Sequence, residues 1–130
     1  MKFAGKILLV DDEAHIRKYL LLIIKQLGRP TLVEAVNGED AIVVFQRENP
    51  EVVLLDVNMP KMGGIETLKR LKAINPHCVV IMLTSLANRE TVEQALENGA
   101  AGYIRKDTPK EEIASVLTET IEAALEPRTP

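Results

Sequence analysis

The chain has 130 residues, 46% of them hydrophobic and 27% charged, with a formal net charge of -3 at pH 7 and four aromatic rings, which fits one globular domain with its own core. An acidic balance with so few rings excludes a broad basic, base-stacking surface for nucleic acid, so any role there is indirect. The longest apolar run, 19–24, is too short to cross a bilayer, and Lys2 and Lys6 precede no secretory core, so a cytoplasmic protein without membrane insertion is expected.

In chain order, Lys6-Ile7-Leu8-Leu9-Val10 reads as a first strand that stops at Asp11-Asp12-Glu13. Ile16, Leu20, Ile23, Ile24 and Leu27 then recur at helical spacing, which predicts a helix over 13–27 with Gly28 as a left-handed cap. A weaker, more polar strand over 31–36 suits a sheet edge. The pair Asn37-Gly38 has the composition of a turn, and the helix after it runs to about residue 48, where Asn49-Pro50 ends it.

The stretch Glu51 to Pro60 is the centre of the pattern. Val52-Val53-Leu54-Leu55 reads as a strand buried on both faces. It ends in Asp56, a carboxylate that burial does not require and that is costly there unless it meets water, a metal or a partner. Taken alone, the segment is explained equally well by an Asp that opens a loop turn.

Gly63-Gly64 frees the chain to turn, and Ile65, Leu68, Leu71 and Ile74 mark a third helix that Asn75-Pro76 stops. Cys78, the single cysteine, opens a buried strand over 78–83 that ends at Thr84-Ser85. It closes no internal disulfide and is expected to be a small buried hydrophobe in a reducing cytoplasm. A fourth helix follows over 89–98 with Gly99 as its cap, then a short strand over 101–104 ending at Arg105-Lys106. Thr108-Pro109-Lys110-Glu111 has the form of a capping box with proline at the first helical position, so the last helix starts there and runs to about residue 125.

Five strands alternating with five helices through short connections call for a parallel sheet covered on both faces, a doubly wound α/β domain in three layers. A single domain is expected over 1–130, with its core at about 5–125 and a proline-rich tail over 126–130. The 24 residues after Lys106 leave no room for an output domain.

In such sheets ligands bind beyond the carboxyl ends of the strands, and there the sequence places Asp11, Asp12, Asp56, Thr84 and Lys106. Each has an ordinary reading by itself: Asp12 caps a helix, Asp11 complements its dipole, Thr84 turns a loop and Lys106 is a solvated lysine. The set is not explained that way. Three clustered carboxylates repel one another and invite a hard divalent cation, and Mg²⁺ is the cytosolic ion that combines a few carboxylates with water and phosphate oxygens. A lysine and a threonine hydroxyl facing such an ion bind phosphoryl oxygens.

Asp11-Asp12 after the first strand, Leu54 to Pro60 with Gly63-Gly64 behind it, Thr84-Ser85, Gly99-Ala100 leading to Tyr103, and Lys106 together resemble the receiver domain of bacterial two-component response regulators, as in stand-alone chemotaxis regulators. The resemblance covers about 5–125. It implies a flavodoxin-like five-stranded sheet of order 2-1-3-4-5 and a phosphorylation-dependent signalling switch. Asp56 is then the phosphoacceptor for a phosphohistidine on a sensor histidine kinase or phosphotransfer protein. Asp11, Asp12, Asp56 and the Asn58 backbone carbonyl hold Mg²⁺, while Thr84 and Lys106 bind phosphoryl oxygens. Thr84 and Tyr103 form the switch pair, and a downstream protein reads the face made by helix four, strand five and helix five. The protein acts on its own phosphoryl group and is otherwise not an enzyme.

The sequence departs from the family's pattern after Lys106, where a cis proline is usual and Asp107 stands instead. A non-proline cis bond costs about 3–4 kcal/mol, so a trans peptide or a locally strained loop is expected. Asn58 and Leu86 occupy the positions that, by the resemblance, flank the water in dephosphorylation. Leu86 cannot orient water, which implies a moderately long-lived phosphoryl group. On the first helix Tyr19, Leu21 and Leu22 lie off the core stripe, and a patch of Ala14, His15, Lys18, Tyr19 and Leu22 suits kinase docking. A monomer or weak dimer is expected. The competing readings are a Mg²⁺-dependent small-molecule phosphatase, which wants an acid where Asn58 stands, a flavodoxin-like cofactor binder, which wants a glycine- and hydroxyl-rich loop where Asp11-Asp12-Glu13 stands, and a receiver-like interaction module that takes no phosphate.

Overall fold

The structure, a computed structural model, describes residues 3–85 and 88–125. Strands and helices alternate along it: β1 (Lys6–Val10), α1 (Ala14–Leu27), β2 (Thr31–Ala35), α2 (Gly38–Glu48), β3 (Val52–Asp56), α3 (Gly64–Ile74), β4 (Val79–Thr84), α4 (Arg89–Glu97), β5 (Gly102–Arg105) and α5 (Lys110–Leu125). The strands form one parallel sheet of order β2-β1-β3-β4-β5, the arrangement expected from the alternating pattern. The polar strand β2 is indeed at an edge.

Side chains alternate between the two faces of each strand, and this divides the core. Leu8 and Val10, Val53 and Leu55, Val80 and Met82 pack beneath α2, α3 and α4. Ile7 and Leu9, Val52 and Leu54, Ile81 and Leu83, with Ile104, pack against Leu20, Ile23 and Ile24 of α1 and Ile113, Leu117 and Ile121 of α5. A buried Leu or Ile contributes roughly 1.5–3 kcal/mol, so the central strands are held from both sides. Cys78 is buried just before β4, as its apolar context predicts.

Local details differ from the sequence reading at four glycines. Gly28 has φ 177 and ψ -158, an extended rather than left-handed cap, three residues before β2 begins at Thr31. Left-handed caps do occur at Asn49 (φ 50) after α2 and at Gly99 (φ 95) after α4. Asn37 is the N-cap of α2 instead of a free turn: its side chain accepts from the Asp40 N–H at 2.8 Å, and Gly38 is already helical. Gly63 and Gly64 have no positive φ. Gly64 is needed for space, since a Cβ there would collide with the Asp56 carbonyl oxygen and come within 2.7 Å of Val57 Cα.

This close approach fixes the start of α3 against the end of β3. Gly64→Ala is expected to lower stability by roughly 1–3 kcal/mol in urea unfolding followed by circular dichroism. Gly63→Ala, whose Cβ would meet nothing nearer than 3.8 Å, should leave the midpoint almost unchanged.

Candidate functional site

The pleat places the site. Leu9, Leu54 and Ile104 face α1 and α5, and two residues further along the same strands stand Asp11, Asp56 and Lys106. Period two therefore aims all three side chains toward the same face just beyond the core. Backbone pairing continues past the strand ends to hold them: Val57 N–H donates to Leu83 (2.8 Å), Lys106 N–H to Thr84 (2.8 Å) and Asp11 N–H to Ala35 (3.3 Å).

Lys106 Nζ lies 2.7 Å from Asp11 Oδ2, 3.2 Å from Asp56 Oδ1 and 3.6 Å from Glu13 Oε1. The lysine side chain is 10% exposed and the two aspartates 1%. The 2.7 Å approach is an ion pair, and neither Asp11 Oδ2 nor Asp56 Oδ2 has a hydrogen-bond partner among the described residues. The other oxygens are oriented by the backbone: Glu13 N–H donates to Asp11 Oδ1 at 2.9 Å and Asn58 N–H to Asp56 Oδ1 at 3.1 Å.

Two buried carboxylates thus share one ammonium, and an orphaned carboxylate oxygen in that setting is costly. Burial, and then the charge of Asp11, raise the Asp56 carboxyl to a pKa of about 6, against the opposing pull of Lys106 and the Asn58 N–H. Burial also pulls on Lys106, toward the neutral amine, but Asp11 and Asp56 together outweigh it and hold the ammonium above the usual lysine range. Asp12 is exposed at the rim, and Asp11, Asp12 and Asp56 each bring an oxygen within 4.8 Å of the others. Excess negative charge, oxygen donors and an orphaned buried oxygen fit a hard divalent cation.

The sequence-derived set is therefore largely brought together: Asp11, Asp12, Asp56 and Lys106 converge, with Asn58 exposed beside them. Thr84 is buried on the opposite pleat face, beside α4. Tyr103 is 42% exposed and borders a cleft with Val57, Met82, Thr84 and Val92 that has about 10 Å³ of room, enough for one water and not for a phenol ring. Leu86 lies outside the described residues. Among the described residues there is no cis peptide bond, and Lys106 reaches both buried aspartates across a trans link to Asp107.

On α1, Ala14, His15, Lys18, Tyr19 and Leu22 are exposed, Leu22 by 61%. Leu21 is not part of that surface; it packs on the core between α1 and α5. Two features escaped the sequence reading. Glu13 faces Lys106, and Asp11 is buried whereas Asp12 is exposed, a difference that the two-residue step from Leu9 already encodes.

The profile of the response regulator receiver domain matches residues 7–118. The chain belongs to this family. It is 30% identical over 118 residues to chemotaxis protein CheY of Bacillus subtilis, covering 91% of this chain and 98% of that one. It is 37% identical over 112 residues to sporulation initiation phosphotransferase F of Bacillus subtilis, covering 86% and 90%. Among solved structures, chemotaxis protein CheY4 of Vibrio cholerae superposes with a TM-score of 0.83 at 27% identity, covering 91% of this chain and 99% of that one. The flavodoxin-like order 2-1-3-4-5 is shared with such receiver domains.

The raised Asp56 value gives the receiver domain a pH signature. Folded Asp56 keeps its proton up to about 6, whereas the unfolded carboxyl titrates near 3.8. Between these values the folded state binds more protons, so this group's contribution is largest below about pH 4 and is lost as pH rises through about 6. With a chelator present, Asp56→Asn is expected to abolish that decline and to be more stable than the parent near neutral pH by roughly 2–3 kcal/mol in urea unfolding.

Proposed function

We propose that this receiver domain is a phosphorylation-dependent switch in which Asp56 accepts a phosphoryl group from a phosphohistidine of a sensor kinase or phosphotransfer protein. The observation that carries the proposal is the buried Asp56 carboxylate, with one oxygen lacking a hydrogen-bond partner, 3.2 Å from Lys106 Nζ. Asp11, Asp12, Asp56 and the Asn58 backbone carbonyl would hold Mg²⁺, which when bound offsets the charge of the phosphoryl oxygens and keeps Asp56 ionised.

Transfer forms a bond from an Asp56 carboxylate oxygen to phosphorus and breaks the P–N bond, whose electron pair returns to the imidazole. Phosphoryl transfer needs position and charge neutralisation more than covalent assistance. Position comes from the Asn58 N–H on Asp56 Oδ1, and neutralisation from the Lys106 ammonium. The Thr84 hydroxyl then donates to a phosphoryl oxygen. Its movement enlarges the cleft beside Val57 and Met82, and Tyr103 turns inward from its exposed position. The face formed by α4, β5 and α5 changes shape and charge, and a downstream protein reads it.

The exposed Ala14, His15, Lys18, Tyr19 and Leu22 of α1 lie beside the site and serve as the docking surface for the phosphoryl donor. The domain's own chemistry is limited to taking up and losing this phosphoryl group, as a cytoplasmic monomer or weak dimer.

Incubation with acetyl phosphate is expected to add one phosphoryl group only when Mg²⁺ is present, read by intact mass spectrometry and mapped to Asp56. Modification that persists in Asp56→Asn would overturn the assignment. For the reverse step, Leu86→Asn or Leu86→Glu supplies a side chain that can hydrogen-bond water. Either variant should lose the phosphoryl group faster than the parent, and an unchanged decay rate would show that Leu86 does not set the lifetime.

A further inference from the structure

Arg17 has no part in the set described so far, yet it is tied to it. Its side chain is 14% exposed. Nη1 donates to the Asp11 backbone carbonyl at 2.7 Å, while Nε donates to Glu34 Oε1 at 2.9 Å. Glu34 lies in the edge strand β2, in register with Leu9 of β1. The guanidinium therefore forks between the end of β1 and its neighbour. A lysine ammonium has no such fixed geometry.

The consequence falls on Asp12. Its side chain makes no hydrogen bond or ion pair among the described residues, so its own contacts do not aim it, and the backbone sets the point from which its carboxylate reaches the cluster. Two peptide planes set that backbone. The plane joining Asp11 to Asp12 is pinned through the Asp11 carbonyl by Arg17, and the plane joining Asp12 to Glu13 through the Glu13 N–H by Asp11 Oδ1. Because a peptide unit is rigid, a bond to one atom of each plane narrows the range the Asp12 Cα between them can sample.

We infer that Arg17 is a positioning residue for the cation site: by clamping the Asp11 carbonyl, and being clamped in turn by Glu34, it presents the exposed Asp12 carboxylate to a divalent cation. The inference rests on the reading of the acidic cluster as a Mg²⁺ site. Groups that orient a metal ligand from outside its coordination sphere typically govern affinity by 10- to 100-fold.

The test separates affinity from chemistry. Arg17→Met keeps much of the side-chain stem and removes the fork. Its Mg²⁺ dissociation constant, measured by titration calorimetry on folded protein, should rise roughly tenfold. Its acetyl phosphate labelling rate should return to the parent's value at saturating Mg²⁺, because Asp56, Lys106 and Thr84 are untouched. Arg17→Lys, which retains charge and one donor, should fall between the two. An unchanged dissociation constant in folded Arg17→Met would overturn the inference while leaving the cation site intact. If Arg17→Met does not fold, Glu34→Gln decides: it loosens the same clamp and should weaken Mg²⁺ binding in the same direction, and an unchanged constant there overturns the inference. A parent protein that binds no Mg²⁺ would overturn the cation reading together with it.

Discussion

The structure depends on the enclosure of two carboxylates and one ammonium at the carboxyl end of a parallel sheet. Asp11 and Asp56 are held there by strands buried on both faces, and Lys106 is carried to them by the edge strand β5. Left to itself, each charge would move toward water or change its protonation. They stay because their backbones are paired beyond the last regular strand residue, so the apolar core determines where the charges lie. What remains is an excess of negative charge and an orphaned oxygen. That imbalance makes the site receptive to a cation.

The alternation of the strands also separates two tasks. Asp11, Asp56 and Lys106 continue the face that packs on α1 and α5, whereas Thr84 and Tyr103 continue the face beneath α4. The charged cluster and the Thr84–Tyr103 cleft therefore stand on opposite sides of one sheet. The thickness between them is a single layer of backbone. Gly64 adds a third connection, since α3 begins in van der Waals contact with the carbonyl of Asp56 itself.

The fold was legible because it rests on apolar periodicity, which no tertiary contact here overrides. Runs such as Val52 to Leu55 and the stripe Leu20, Ile23, Ile24 read as a buried strand and a core helix. The converging residues were legible as strand-end polar groups. Local backbone geometry was not: Gly28 promised a left-handed cap and is extended, while Gly38 and Gly64 are required by neighbours distant in sequence, Thr67 in one case and Asp56 in the other. Leu21 illustrates the same limit, since its partial burial comes from packing against a core cluster built by several elements, which a stripe drawn on α1 alone omits. Arg17 carries no motif at all. Its meaning arises from Glu34 in a neighbouring strand, and spacing along one element cannot show that.

Strand β5 pairs with β4 alone among the described strands and is four residues long. Displacing β3 would break ladders on both of its sides, but displacing β5 breaks one. Tyr103 sits in this short strand and Lys106 one residue past its end, facing opposite sides of the sheet. Three peptide units separate the lysine from the aromatic ring, along the shorter of the sheet's two edge strands. That short edge is the nearest covalent path from the charged face to the face beneath α4.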